Sequence, residues 1–102
     1  MKITELFNVN GKVAIVTGGS RGIGEMIAAG FLANGVKVYI TARKEAALIE
    51  KANELSDMYE GECIPVSCDL STMEGMNEFV DFIHSKEDQI DFLINNAGVG
   101  CL

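Results

Sequence analysis

Three glycines near the start of the chain have the residue type and spacing of a phosphate-binding loop. Gly18, Gly22 and Gly24 form a Gly-x-x-x-Gly-x-Gly pattern directly after the apolar run 13–16. Phosphate oxygens need N–H donors at close range, and the N-terminus of a helix supplies these donors together with a positive dipole end. Glycine keeps side chains out of the way. The pattern predicts a strand, a turn and a helix that bind the diphosphate of a dinucleotide.

Two related motifs do not fit this loop as well. A P-loop is excluded, because Glu25 stands where that motif requires lysine. The spacing also differs from the Gly-x-Gly-x-x-Gly dinucleotide fingerprint, so the match is to a related pattern. A glycine-rich turn without a ligand is the alternative interpretation. The strand predicted before the loop and the helix predicted after it favour the dinucleotide.

The residues after the second predicted strand indicate which dinucleotide binds. An acidic residue there would accept a hydrogen bond from the free 2′-hydroxyl of NAD. This chain instead has Arg43 and Lys44, with no acid until Glu45. The guanidinium fork suits a phosphate. We therefore predict that NADP(H) is preferred over NAD(H), with Arg43 as the 2′-phosphate ligand and Arg21 as a second candidate. Lys44 is interpreted as a solvated residue at a helix start.

The elements that must position these residues follow from the apolar pattern. Strand-like runs at 12–17, 36–42, 62–67 and 90–95 alternate with three helical patterns. This alternation indicates β-α-β units, a parallel sheet and right-handed crossovers. The apolar runs are continuous, as in strands covered on both faces. The expected fold class is α/β, a Rossmann-type doubly wound parallel sheet, of which β-α-β-α-β-α-β is the N-terminal half.

Each helical pattern carries one apolar stripe that we expect to pack on the sheet. The first helix starts near Gly22 and stops before a capping glycine, Gly35; its stripe is Ile23, Ile27 and Phe31. Close packing on the sheet would offset the unfavourable helix propensity of Gly30. The second pattern spans 45–59, and its stripe is Leu48, Ala52, Leu55 and Tyr59. The third opens on a capping box formed by Ser71 and Glu74; its stripe is Met73, Met76, Val80 and Ile83.

Composition and charge exclude several function classes. The net charge of −7 argues against non-specific binding to nucleic acid or to anionic membranes. Six of the eight basic residues lie at or before Lys44, in the half with the glycine loop. Cys63, Cys68 and Cys101 include no Cys-x-x-Cys pair, so no metal site is predicted and free thiols are expected. No run is long enough to span a bilayer, and no signal peptide is apparent. The expected location is the cytoplasm.

Two motifs at the ends of separate strands give the chain a family resemblance. With Thr17–Gly24 and Asn95-Asn96-Ala97-Gly98 in this order, the chain resembles the short-chain dehydrogenase/reductase family from about Leu6 to its last residue. The loop sequence Gly-Gly-Ser-Arg-Gly-Ile-Gly is similar to that of bacterial-type 3-oxoacyl-(acyl-carrier-protein) reductases. The resemblance implies an NADP(H)-dependent oxidoreductase that interconverts a carbonyl and an alcohol, with a homo-oligomeric parent.

The resemblance also implies roles for individual residues. Ser20 would offer a hydroxyl and Ile23 a backbone donor to the pyrophosphate. Asp69 and Leu70 would hold the adenine, with the Asp69 carboxylate accepting from the exocyclic amine. The adenosine-ribose and nicotinamide side would be lined by Asn96, Ala97 and Gly98. Thr17 and Asn95 are interpreted as scaffold residues that connect strands one and four.

The family's catalytic residues have no counterpart in this sequence. The family uses a Ser, a Tyr-x-x-x-Lys pair and an Asn, whereas Tyr39 and Tyr59 are followed four residues later by Arg43 and Cys63. His84 is interpreted as a solvated helix-end residue. Residues 1–102 are therefore expected to be the dinucleotide-binding N-terminal portion of one Rossmann domain, truncated before the catalytic segment and inactive alone.

The sequence leaves two alternatives to this function. The chain could be a stand-alone dinucleotide-binding or sensing module without catalysis. A methyltransferase-like fold is disfavoured, because such sites normally have an acidic residue after the second strand.

Overall fold

The computed structural model describes residues 8–96, which form a parallel sheet of four strands with three helices. The elements are β1 (Val13–Thr17), α1 (Gly22–Ala33), β2 (Lys37–Ala42), α2 (Glu45–Met58), β3 (Cys63–Ser67), α3 (Met73–Lys86) and β4 (Phe92–Asn95). The strand order is β3-β2-β1-β4. This arrangement confirms the predicted fold class and element order; each strand begins one or two residues later than predicted.

Helices cover both faces of the sheet, which explains the continuous apolar strands. On one face, α1 and α2 pack on alternate residues of β1 and β2 to form the larger core: Ala14, Val16, Ala28, Leu32, Val36, Val38, Ile40, Leu48, Ala52, Leu55 and Cys63. On the other face, α3 packs through Phe79 and Ile83 on Ile15 and Tyr39. Ile15 and Tyr39 are register partners, so their side chains share that face.

The buried stripe of α1 lies one residue later than the sequence pattern suggested. Gly24, Ala28 and Leu32 are buried, whereas Ile23 is 64% exposed. The first turn of α1 packs closely on the glycine loop. A Cβ on Gly24 would collide with the Gly18 carbonyl oxygen, so the helix face that carries Gly24 is the one turned toward the loop. The expectation that Gly30 packs closely is also wrong, because a Cβ there would meet nothing within 4 Å. Gly35 does follow the helix end with a φ of +78°, as predicted.

The start and the core stripe of α3 also differ from the prediction. Thr72, rather than Ser71, is the N-cap, and its hydroxyl accepts a 3.0 Å hydrogen bond from the Gly75 amide. Phe79 and Ile83 are buried, but the other predicted stripe members, Met73, Met76 and Val80, are exposed. The N-cap lies one residue later than predicted, and because Gly75 stands at the third helical position, this cap is a single hydrogen bond rather than a capping box. None of the helices within residues 8–96 has the length and apolar character needed to cross a membrane.

Candidate dinucleotide-binding site

The predicted site residues follow the carboxyl ends of four parallel strands, which meet at one edge of the sheet. The glycine loop follows β1, Arg43 follows β2, Asp69 lies just beyond β3, and Asn96 follows β4. In open α/β sheets, ligands bind outside the carboxyl ends of the strands, where the strand order reverses. Here that reversal lies between β1 and β4, because β1–β2–β3 extends one way and β4 pairs on the other side.

The glycine loop turns sharply from β1 into α1 with two backbones in the left-handed region. Gly18 has a φ of +68° and Gly22 a φ of +61°, conformations that L side chains rarely adopt. The first intrahelical bond runs from the Glu25 amide to the Arg21 carbonyl, 3.3 Å away. The amides of residues 22–24 therefore precede the helix's own hydrogen-bond ladder, where an anion can accept from them.

Close packing explains two further glycines. A Cβ on Gly24 would lie 2.7 Å from Nδ2 of the Asn96 side chain and would also collide with the Gly18 carbonyl. A Cβ on Gly19 would lie 2.6 Å from the Ile40 side chain. A larger residue at either position would push the loop away from the sheet. Gly19 was missed as a site residue, although the Gly-Gly dipeptide is a signal for it.

Hydrogen bonds from neighbouring strands fix the loop in place. The Thr17 hydroxyl donates to Asn95 Oδ1 at 3.0 Å and accepts from the Asn96 amide at 2.8 Å. The Asn96 side chain donates to the Gly18 carbonyl at 3.4 Å. Thr17 and Asn95 thus connect β1 and β4, as predicted. The structure places Asn96 against the loop, so its side chain supports the backbone that would contact the ligand.

Residue Thr41 of β2 is a loop anchor that sequence reasoning missed. The Gly18 amide donates both to the Thr41 carbonyl, at 3.1 Å, and to its hydroxyl, at 3.2 Å. Thr41 is buried. A threonine in a strand carries no signal for this contact, because the pairing of β1 with β2 creates it.

A cleft of about 470 Å³ lies between the loop and the start of α2. Its lining includes Ser20 and the basic residues Arg21, Arg43, Lys44 and Lys51, together with the acidic residues Glu50 and Glu54. The side chain of Arg21 makes no capping hydrogen bond to α1. The Arg43 carbonyl accepts from the Ser67 hydroxyl at 3.2 Å, so the end of β3 holds the Arg43 backbone. The two predicted phosphate ligands, Arg21 and Arg43, therefore face one cleft.

The predicted adenine pair, Asp69 and Leu70, follows β3 and is not among the residues that line this cleft. Asp69 Oδ1 accepts from the Ser71 hydroxyl at 2.6 Å and from the Ser71 amide at 3.0 Å. These bonds, with a smaller contribution from the Arg43 charge, lower the pKa of Asp69 below its ordinary value. Leu70 packs on the core between the sheet and α3. Ala97 and Gly98 lie outside the described residues.

The two tyrosines occupy structural positions. Tyr39 is buried in β2, and its hydroxyl donates to Glu87 Oε2 at 2.5 Å. Burial and the neighbouring Glu87 carboxylate raise the pKa of Tyr39 far above its ordinary value. Tyr59 caps the C-terminus of α2. His84 is an exposed residue in the last turn of α3, as interpreted from the sequence. Among residues 8–96, none of these three groups lies in the cleft at the strand ends.

Comparisons with known proteins agree with this geometry. The family model for "short chain dehydrogenase" matches residues 12–102. The chain is 41% identical over 92 residues to the rhamnolipids biosynthesis 3-oxoacyl-[acyl-carrier-protein] reductase of Pseudomonas aeruginosa, covering 90% of this chain and 35% of that protein.

Two solved structures are also similar. The Pseudomonas aeruginosa RhlG/NADP active-site complex superposes with a TM-score of 0.84 at 41% identity, covering 91% of this chain and 37% of that one. L-sorbose reductase from Gluconobacter frateurii, complexed with NADPH and L-sorbose, gives a TM-score of 0.84 at 37% identity, covering 90% and 35%. The chain spans little more than a third of the length of these relatives. It belongs to the short-chain dehydrogenase family.

Proposed function

We propose that this chain binds NADP(H) and forms the cofactor-binding part of an enzyme that interconverts a carbonyl and an alcohol. The observation that carries the proposal is the glycine loop: two left-handed glycines and a helix N-terminus follow β1, next to the reversal of strand order, and a cleft lined by Arg21 and Arg43 lies beside the loop on the β2 side. The glycine positions keep the space beside the loop backbone free of side chains, which fits a diphosphate. The cofactor supplies hydride chemistry when bound.

Residue by residue, the proposed contacts are as follows. The backbone of Gly18, Gly22, Ile23 and Gly24 and the hydroxyl of Ser20 bind the diphosphate. Arg43, with Arg21, binds the 2′-phosphate and gives the preference for NADP(H). Asp69 and Leu70 hold the adenine. By the family resemblance, Asn96, Ala97 and Gly98 would line the ribose and nicotinamide side. The NADP and NADPH complexes among similar structures support this proposal.

We also propose that residues 1–102 are the N-terminal portion of a longer enzyme and are inactive alone. Reduction of a carbonyl needs a positioned proton donor, and among the described residues the tyrosines serve packing roles. The short coverage of the relatives supports this reading. A 3-oxoacyl thioester is the proposed substrate, by similarity to the Pseudomonas aeruginosa protein. A homo-oligomeric parent in the cytoplasm is proposed; the unpaired Cys63 and Cys68 fit a reducing compartment.

Cofactor preference is tested by reversing the charge at Arg43. In the full-length protein, we expect Arg43→Asp to weaken NADPH binding far more than NADH binding, because only NADPH carries the 2′-phosphate. Lys44→Asp is the matched control, since it makes the same charge change one residue away and should have the smaller effect. Equal losses for both dinucleotides in Arg43→Asp would contradict the assignment. Oxidation of NADPH with a 3-oxoacyl thioester then tests the substrate.

A further inference from the structure

Acidic residues lie close to the cleft in which an anionic ligand is proposed to bind. Glu50 and Glu54 of α2 line it, and Glu25 lies in the first turn of α1, the helix proposed to hold the diphosphate. Like charges repel one another, and this repulsion is stronger near a protein surface than in bulk water. Uncompensated carboxylates here would therefore weaken binding of a dinucleotide.

One lysine contacts two of these carboxylates. Lys51 Nζ lies 3.3 Å from Glu25 Oε2 and 3.3 Å from Glu54 Oε2. The Lys51 side chain is 24% exposed, which makes it the least exposed member of this charge cluster of Lys51, Glu25 and Glu54. Hydrogen bonds to Glu54 and Glu25 raise the pKa of Lys51, so the ammonium remains charged at neutral pH.

The position of the charge cluster links it to the ligand. Lys51 itself lines the cleft together with Arg21 and Arg43. Its contact with Glu25 joins α2 to α1, whereas its contact with Glu54 lies within α2. The ammonium can thus fix one carboxylate from each helix. With its donors directed at two carboxylates, Lys51 acts on the ligand through them.

We propose that Lys51 is a positioning residue for cofactor affinity: it holds and neutralises the Glu25 and Glu54 carboxylates so that they do not oppose the phosphates of NADP(H). This inference rests on the proposed function. It differs from the roles of Arg21 and Arg43, because Lys51 need not touch the ligand. Its effect should disappear once the two carboxylates are removed.

A double-mutant cycle on the full-length protein tests this proposal, with NADP⁺ binding measured by calorimetry. We expect Lys51→Met to weaken binding by roughly tenfold at low salt, with a smaller loss at high salt, because exposed charges are screened. In the Glu25→Gln/Glu54→Gln background, the same substitution should change affinity less than about twofold, since the carboxylates are gone. Lys51→Arg should retain affinity, because it keeps a positive charge at the same place. This variant keeps the proposal testable if Lys51→Met proves unstable.

Controls separate the alternatives. Lys86→Met removes one positive charge from α3, on the opposite face of the sheet, and should leave affinity unchanged. An equal loss for Lys51→Met in both backgrounds would show direct contact with the ligand and overturn the proposal, as would no loss in either. A wild-type protein that binds no dinucleotide would overturn the proposed function, and this inference with it.

Discussion

Glycines in this chain differ in what their missing side chains permit. In α1, a Cβ on Gly24 would collide with the loop carbonyl that precedes the helix, whereas a Cβ on Gly30 would project into open space. The spacing assigns Gly24 to the loop motif, whereas Gly30 lies inside the helical pattern. The contact between α1 and the loop explains why Gly24 must lack a side chain, and Gly30 has no such contact.

This difference gives a paired prediction for substitution by alanine. Gly24→Ala should abolish NADPH binding, because the helix must move away from Gly18 to make room. Gly30→Ala should leave binding intact and stabilise the fold by up to about 1 kcal/mol through helix propensity. Titration with NADPH and thermal unfolding measure the two effects. Unchanged binding in Gly24→Ala would contradict the close approach described here.

The Glu87 carboxylate, which contacts the start of β2 at the opposite end of the sheet, should make the stability of the fold depend on pH. Lys37 Nζ lies 2.6 Å from Glu87 Oε2, which also accepts from the Tyr39 hydroxyl. The contact with Lys37 and, to a smaller extent, the contact with Tyr39 lower the pKa of Glu87 below its ordinary value of 4.5. A carboxylate with a lowered native pKa stabilises the fold above its unfolded pKa, and this stability is lost as the pH falls through the native pKa.

We therefore expect Glu87→Gln to be less stable than wild type at pH 7. The difference in unfolding free energy should shrink as the pH is lowered below about 4.5, the ordinary pKa of a glutamate. Denaturant unfolding at a series of pH values measures it. A difference that stays constant down to pH 2 would show that Glu87 contributes through packing alone.

The sequence predicts the order of the helices, but it does not predict which face of α1 and α3 is buried. The alternation of strands and helices followed from the apolar pattern, as did the buried stripe Leu48, Ala52 and Leu55 of α2. In α1 and α3, apolar residues occupy two faces, so the pattern could not decide which face is buried. In the structure, α1 places Gly24 against the loop and α3 places Phe79 and Ile83 against the sheet.

The candidate site shows the same division. The three glycines of the loop, Arg21 and Arg43 are predicted from residue type and spacing, because their chemistry is local. Thr41 and Lys51 were missed, because their contacts join elements that lie apart in sequence. Such contacts depend on strand pairing and helix packing, which a single sequence does not specify.

The N-cap of α3 provides a test at the level of this element. Thr72→Ala should destabilise the protein by about 1 kcal/mol, because the Gly75 amide loses its acceptor. Ser71→Ala is the control: its hydroxyl bonds Asp69 in an exposed turn, so the loss should be smaller. Chemical denaturation of both variants measures the difference. A larger effect at Ser71 would favour the capping box predicted from sequence.

At the scale of the molecule, residues 8–96 expose apolar side chains on the α3 side of the sheet. Leu93 of β4 is 65% exposed, and it shares a face with its register partner Ile15. Met73, Met76 and Val80 of α3 are exposed as well. An apolar edge strand is a template for aggregation. These features fit the proposal that residues 1–102 are the N-terminal portion of a longer enzyme.

The isolated 102-residue chain should accordingly be poorly soluble or partly unfolded. Replacing Leu93 by lysine should reduce its aggregation, because a charge on an edge strand opposes strand pairing. Light scattering during chromatography measures both proteins. A wild-type chain that is a monodisperse monomer with a cooperative thermal transition would contradict this expectation.

Hydrogen exchange of the full-length protein with and without NADPH tests the central claim, that amides at the start of α1 bind the diphosphate. We predict saturable binding with new protection in the segment 17–24 and around Arg43. Little change is expected in α3, which lies on the other face of the sheet. Absence of saturable binding, or protection that leaves the segment 17–24 unchanged, would contradict the account.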